Sequence, residues 1–217
     1  MEPIKNIYIK IRESLKEEHR HMAIPQTGAA CIATNADEKI LLVKKSNGNK
    51  WVIPGGVQEL GEDFRSVAAR ELREETGINY NQDELILVDI LTGEGRHKTY
   101  PNGDEVYNNT VLFLASNIAQ QEISINSTDY QDDGLGNYQV VQESTAYEWF
   151  DINSLPNTFD DHDLIEAYKK HINKSTKPRR INMSENLKDE LKNTPGLIDD
   201  MIASIDKKIA ELEAEGK

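Results

Sequence analysis

The 217-residue chain has a single cysteine, Cys31, so neither an internal disulfide nor a multi-cysteine metal centre can be built from it. Cys31 sits in the apolar run Ala29-Ala30-Cys31-Ile32-Ala33, where a thiol packs as a small hydrophobe, and a buried structural role is expected rather than a nucleophilic one. Basic charge is scarce: 25 Lys and Arg against 38 Asp and Glu leave a formal net charge of -13. Proteins that track a duplex backbone gather Lys and Arg on one face. The dense basic cluster here, Lys177-Pro178-Arg179-Arg180, falls in a stretch that reads as a solvated connector, and no double-stranded nucleic-acid partner is expected. Long apolar runs are missing as well; none approaches the roughly 20 residues that cross a bilayer. Lys5, Lys10, Arg12 and Glu13 interrupt every apolar stretch near the start, which excludes a secretory leader there and predicts a cytoplasmic protein without a membrane partner. A chain this acidic could handle a polyanionic phosphate only with metal cations between the two.

What is present is an ordinary globular balance, 37% hydrophobic and 29% charged, sufficient for one well-filled domain with additions. Ile4, Ile7, Ile11 and Leu15 recur at helical spacing and predict a short amphipathic helix, or a helix after a strand, in a lead-in over 1–22 that Pro25 ends. Strands are predicted over 28–34 and 40–44, with a third, Trp51-Val52-Ile53, that stops at Pro54-Gly55-Gly56. A helix follows over 63–76 with Gly77 as its stop. Further strands are expected over 85–91 and 106–115, separated by the tight turn Tyr100-Pro101-Asn102-Gly103-Asp104. Residues 124–138 are polar enough for a long surface loop or a protruding hairpin. Val140-Val141 and residues 147–150 bracket the last strand or strands, and a helix over 163–172 closes a domain spanning 23–173. Strands with interspersed helices indicate an α/β or α+β sandwich with a mixed sheet. From 174 to 217 the composition predicts a linker and then an amphipathic helix. Its seam of Ile198, Ile202, Ile205, Ile209 and Leu212 either docks on its own domain or pairs with another chain, which leaves a homodimer open.

The chemistry-bearing stretch runs over 56–78. On a helical wheel at about 100° per residue, Ala68 and Leu72 flank Phe64 on one side and Val67 on the other. Glu71 and Glu75 land within roughly 20° of Phe64, inside the apolar stripe, while Glu74 falls at its edge and Arg65, Ala69 and Arg73 face away. Two carboxylates one turn apart thus point where periodicity demands hydrophobic side chains. Burying them unpaired costs several kcal/mol each, so arginines, protons or cations must compensate. Arg70 can pair with Glu74, but one arginine cannot satisfy Glu62, Glu71, Glu74 and Glu75 together. A hard divalent cation such as magnesium suits the remainder; an internal ion-pair network without metal is the rival explanation. Gly55-Gly56, on its own a turn signal after Pro54, lets the backbone turn sharply and approach a ligand closely beside those carboxylates.

Gly56, Glu62, Arg70, Glu71, Leu72, Glu74, Glu75, Gly77 and Ile78 fit the pattern G-x5-E-x7-R-E-U-x-E-E-x-G-U, with U apolar, at every defining position. By this pattern the chain resembles the Nudix hydrolase family. Seven identities and two apolar positions would coincide in well under about one in a million chains of this length. The preceding Trp51-Val52-Ile53-Pro54-Gly55-Gly56, the Tyr-Pro-Asn-Gly-Asp-Glu turn and the segment from Glu148 to Pro156 are similar to the family too, so the resemblance covers roughly residues 23–172.

The resemblance implies an α/β/α sandwich with a mixed β-sheet, here with a C-terminal helical extension. It further implies magnesium-dependent hydrolysis, with manganese as a substitute, of a phosphoanhydride in a nucleoside diphosphate linked to another moiety. Carried over residue by residue, Glu71, Glu75 and the Gly55 carbonyl would hold the metal. Glu74 would bind a second ion or help deprotonate water, Arg70 would orient the glutamates, and Glu62 would support that network. An additional acidic ligand from beyond the motif is Glu143 or Glu148, with Glu143 preferred. Tyr100 and Glu105, with His97 and Asp104, are candidates for lining the substrate pocket, although a surface hairpin tip would explain them equally. The proline that marks many ADP-ribose hydrolases about fifteen residues past the motif is absent, and so is the upstream pattern of coenzyme A hydrolases. A nucleoside triphosphate, a nucleotide sugar and a dinucleotide stay open as the small-molecule substrate. The alternative is a catalytically silent nucleotide sensor whose C-terminal helix binds a partner.

Overall fold

The computed structural model describes residues 7–100, 102–118, 122–132 and 138–176. The chain opens with helix α1 (Ile7–Ser14), where the expected apolar face is not the buried one. Ile11 is 38% exposed, whereas Arg12 is buried. The reason is hydrogen bonding: the Arg12 guanidinium donates to the carbonyls of Arg20 and Met22 at 2.6 Å and to that of Glu105. A long cationic side chain therefore ties the lead-in to the domain, which apolar periodicity could not foretell.

Strand β1 (Ile24–Ala33) starts four residues before its expected beginning and contains Pro25. It is followed by β2 (Ile40–Lys45), β3 (Trp51–Val52) and β4 (Gly55–Val57). Cys31 N–H donates to the Pro54 carbonyl and Thr27 N–H to the Tyr8 hydroxyl, so alternate β1 amides face that side. Pro25 belongs to the same series, beyond the point where β4 pairing ends at Gly28, and its missing N–H therefore leaves no ladder bond unmade. Gly55-Gly56 does more than turn the chain. Any Cβ on Gly55 would stand 2.7 Å from the Ala29 carbonyl oxygen, so the absence of a side chain is what lets β4 lie against β1.

Helix α2 (Phe64–Thr76) stops at Gly77 as expected and begins one residue after Asp63, which caps it instead of opening it. The Asp63 carboxylate accepts from the Arg65 and Ser66 amides, and Gly77, left-handed at φ 74°, returns its N–H to the Arg73 carbonyl. Beyond it come β5 (Ile86–Leu91), the short β6 (His97–Thr99), β7 (Glu105–Ala115), β8 (Thr128–Asp132), β9 (Tyr138–Gln142), β10 (Ser144–Phe150) and helix α3 (His162–Thr176). The expected 100–104 turn joins β6 to β7, with Gly103 N–H donating to the Tyr100 carbonyl. Of the two alternatives for 124–138, the hairpin is the one found, since β8 pairs with β9 from Thr128↔Gln142 to Asp132↔Tyr138.

The main sheet has the order β4-β1-β7-β5, with β6 beside β7, and a second sheet has the order β10-β2-β3. β1 and β7 run parallel while the other pairs are antiparallel, giving the expected mixed sheet. Alternation along β1 separates two cores. Ala29, Cys31 and Ala33 pack with Leu41, Phe113 and the α2 residues Val67, Ala68 and Leu72. Ala30 and Ile32 pack with Ile40, Leu42, Leu112 and the α3 residues Leu164, Ile165 and Tyr168. Helices thus cover opposite faces of the strands, an α/β/α sandwich. Cys31 is fully buried, and burial pushes its thiol up to about 12, in keeping with a structural role. α3 continues to Thr176, past the expected domain end at Asn173. The predicted C-terminal seam, Ile198 to Leu212, lies outside the described residues. Among the described residues no helix is long and apolar enough to cross a membrane.

Candidate active site

The inward carboxylates of α2 are where the wheel puts them. Glu75 is fully buried and the Glu71 side chain is 12% exposed, in the layer between helix and strands, while Glu74 stands half in solvent. Gly56 faces Glu71 so closely that a methyl group there would collide with the carboxylate. The Gly55 amide approaches Glu75 Oε1 at 3.4 Å. Capping at both ends of α2 and the side-chain-free pairing of β4 with β1 set this register.

Arg70 organises the cluster. Its Nε and Nη2 form a fork onto both oxygens of Glu62 at 2.8 and 2.9 Å, Nη1 donates to Glu71 at 2.7 Å and to Glu74 at 3.2 Å, and Nη2 also reaches the Val57 carbonyl at 3.0 Å. One planar guanidinium thereby locks three glutamates and the start of the loop that follows β4. The fork holds the Glu62 carboxyl below the usual range. Burial pushes Glu71 up to about 7 and Glu75 up to about 8, against the opposing pull of Arg70 on the first and Lys45 on the second.

Lys45 was not singled out from the sequence. Its ammonium donates to Glu75 Oε1 at 3.0 Å and, by a shorter contact, to Glu143. Burial works against this cation, yet the two carboxylates keep its pKa above the ordinary lysine value. The signal was available in the period of β2: Leu41, Val43 and Lys45 alternate onto one face, and Leu41 packs with α2, so a lysine ends an otherwise apolar row. The same contact discriminates between the two late acidic candidates. Glu143 shares the Lys45 ammonium with Glu75, whereas Glu148, on β10 opposite Leu42, is exposed.

Beside this cluster opens a cleft of about 1050 Å³. Its walls include Lys45, Gly55, Gly56 and Glu143, together with Gln26, Asn108, Asn109, Tyr100, Tyr8 and Arg12. Tyr100 lines the cleft, with its hydroxyl 3.3 Å from Gln26 Oε1. Glu105 does not line it; its carboxylate takes a bond from His97 at 3.1 Å. Asp104, also on the wall, is engaged by His21 at 2.7 Å. Asp161, a half-buried group the sequence did not reveal, accepts from the Ile53 amide at 2.8 Å, and its enclosure by the protein pushes its carboxyl up to about 6. Its partner is 108 positions away, beyond the reach of local pattern. Among the described residues no three His, Cys, Asp or Glu side chains are already drawn together around one point as a bound ion would hold them. Arg70 and Lys45 hold the carboxylates on their own charges instead.

A sandwich of this topology, with a carboxylate-bearing helix laid against a glycine-paired strand, is a recurrent architecture, and its family can be stated. The NUDIX domain matches residues 24–170, and the chain belongs to the Nudix family. It is 28% identical over 123 residues to the uncharacterized Nudix hydrolase YvcI of Bacillus subtilis, covering 56% of this chain and 63% of that one. With the ADP-ribose pyrophosphatase of Methanocaldococcus jannaschii it shares 26% identity over 132 residues, 59% of this chain and 64% of the other. With the m7GpppN-mRNA hydrolase NUDT17 of Xenopus laevis it shares 35% over 85 residues, 37% and 28% of the respective chains. The chain therefore spans less than two thirds of the length of each of these relatives. Among solved structures, the MutT NUDIX hydrolase from Burkholderia pseudomallei has the same fold at a TM-score of 0.50 and 20% identity, over 66% of this chain and 98% of that one.

Proposed function

We propose that the chain is a magnesium-dependent hydrolase of a phosphoanhydride bond in a nucleoside diphosphate linked to another moiety. The observation that carries this is Glu75 Oε2, which is buried and has no hydrogen-bond partner among the described residues. An ionised oxygen in that position needs a cation, and the bare backbone of Gly56 leaves space for Glu71 beside it. The donor set suits a hard divalent ion: carboxylates of Glu71, Glu75 and Glu143 and the carbonyl of Gly55, with magnesium preferred and manganese a substitute. When bound, such an ion draws charge from phosphate oxygens and makes water easier to deprotonate.

The chain's own residues supply the rest. Arg70 keeps Glu62, Glu71 and Glu74 in one orientation through its five hydrogen bonds. Glu74, half in solvent at the edge of the cluster, would bind a second ion or help take a proton from attacking water. The cleft beside Gly55 and Glu143 would receive the rest of the substrate, with Tyr100 and Gln26 on its wall. Relatives named for ADP-ribose and for the mRNA cap support a substrate in which a phosphoanhydride bridge joins a nucleoside to a second group.

The test is hydrolysis, followed by chromatographic separation of the nucleotide and other phosphate-bearing products, across a panel of nucleoside triphosphates, nucleotide sugars, dinucleoside polyphosphates and ADP-ribose with magnesium. Turnover of at least one compound is expected, falling by several orders of magnitude in Glu74→Gln or Glu75→Gln with the fold retained. Binding without turnover anywhere would instead favour a nucleotide sensor.

A further inference from the structure

We propose that Lys45 is an exchangeable counter-cation, its ammonium holding the Glu75–Glu143 pair while no divalent ion is bound and giving it up when one arrives. The inference rests on the metal-dependent reading of the same site. Its own observations are geometric.

Lys45 touches both Glu75 and Glu143 and also lines the cleft. Glu75 is fully buried and does not line it. A cation coming from the cleft therefore meets the Lys45 ammonium at the carboxylates it has to reach. Two like charges on one buried carboxylate repel strongly where water is excluded, so occupancy by one disfavours the other.

The two cations in the cluster are held very differently. Arg70 is fixed by five hydrogen bonds that use all three of its nitrogens. Lys45 has two, at the tip of a flexible four-carbon stem, and its side chain is 23% exposed. Of these two, Lys45 is the one that can leave without dismantling the cluster. It also satisfies only half of Glu75, since Oε2 stays without a donor. An ammonium in that place offsets part of the burial cost of Glu75 and Glu143 in the metal-free protein, at the expense of metal affinity.

Manganese binding to the full-length protein, followed by the electron paramagnetic resonance of the free ion, tests this. Lys45→Met should tighten manganese binding by about tenfold, within the usual range for coupled sites, while lowering the metal-free melting temperature. Lys45→Arg, whose planar fork grips carboxylates more firmly, should weaken manganese binding below wild type. A lysine with a purely structural role would give unchanged or weaker affinity in Lys45→Met, and that result overturns the proposal. Should Lys45→Met fail to fold, Lys45→Arg decides: affinity equal to wild type or tighter refutes the exchange. Glu75→Gln separates this from the underlying reading. If it binds manganese as well as wild type does, the metal site itself is misplaced, whatever the lysine variants show.

Discussion

At the scale of single residues, the buried glutamates make a pH dependence that can be signed. An unfolded chain releases carboxyl protons near pH 4.5, whereas the folded, metal-free protein keeps them to about 7 on Glu71 and about 8 on Glu75, because burial disfavours their charge. Between those limits the folded state binds more protons than the unfolded one, so raising the pH withdraws stability. In chelator, urea midpoints should be highest near pH 5 and fall toward pH 8; Glu75→Gln should flatten the upper part of that slope. A midpoint that rises over this range would mean the carboxylates are ionised and fully paired. That these glutamates point inward was legible in the sequence, because a 3.6-residue period leaves no other place for positions 71 and 75 once Phe64, Val67, Ala68 and Leu72 form the apolar stripe. Lys45 was equally readable from the two-residue period of β2. Arg12 and Asp161 were not: their partners are carbonyls and an amide from distant segments, and no local pattern encodes such a bond.

At the scale of elements, the site depends on how closely β4 approaches both β1 and α2. The Gly77 stop of α2 was legible, and the Asp63 cap was within reach of the same reading, since both act through their own neighbours. The glycines of β4 looked like a turn because a Pro-Gly-Gly run has the same composition in a turn as in a strand that must pass close to another backbone. Only the partner strand distinguishes the two. The close approach makes Gly56→Ala informative: its methyl group would displace the Glu71 carboxylate from the face of β4. Overpacking of this kind costs about 1–3 kcal/mol in thermal or denaturant unfolding, and activity should fall further than stability because Glu71 is moved. Gly95→Ala, where an added Cβ meets nothing within 4 Å, should stay within about 0.5 kcal/mol of wild type and keep full turnover. Equal losses in both variants would show that Gly56 matters only as flexible backbone.

At the scale of the whole molecule, the acidic surplus and the site are separate sources of cation binding, and they can be told apart. A formal charge of -13 attracts any cation diffusely, and salt screens that attraction. A specific ion in the carboxylate cluster acts by mass action, stabilising the folded state by about 2.7 kcal/mol at a hundredfold excess over its dissociation constant. For a chain of this size that is a rise in melting temperature of about 5 °C or more. Magnesium at constant ionic strength should therefore raise the wild-type melting temperature in a saturable way. Sodium chloride of matched ionic strength should not, and Glu75→Gln should lose the saturable part while keeping the diffuse response. If sodium reproduces the magnesium curve, or the variant follows wild type, the surface charge accounts for the stabilisation and the buried carboxylates are compensated by Arg70 and Lys45 alone.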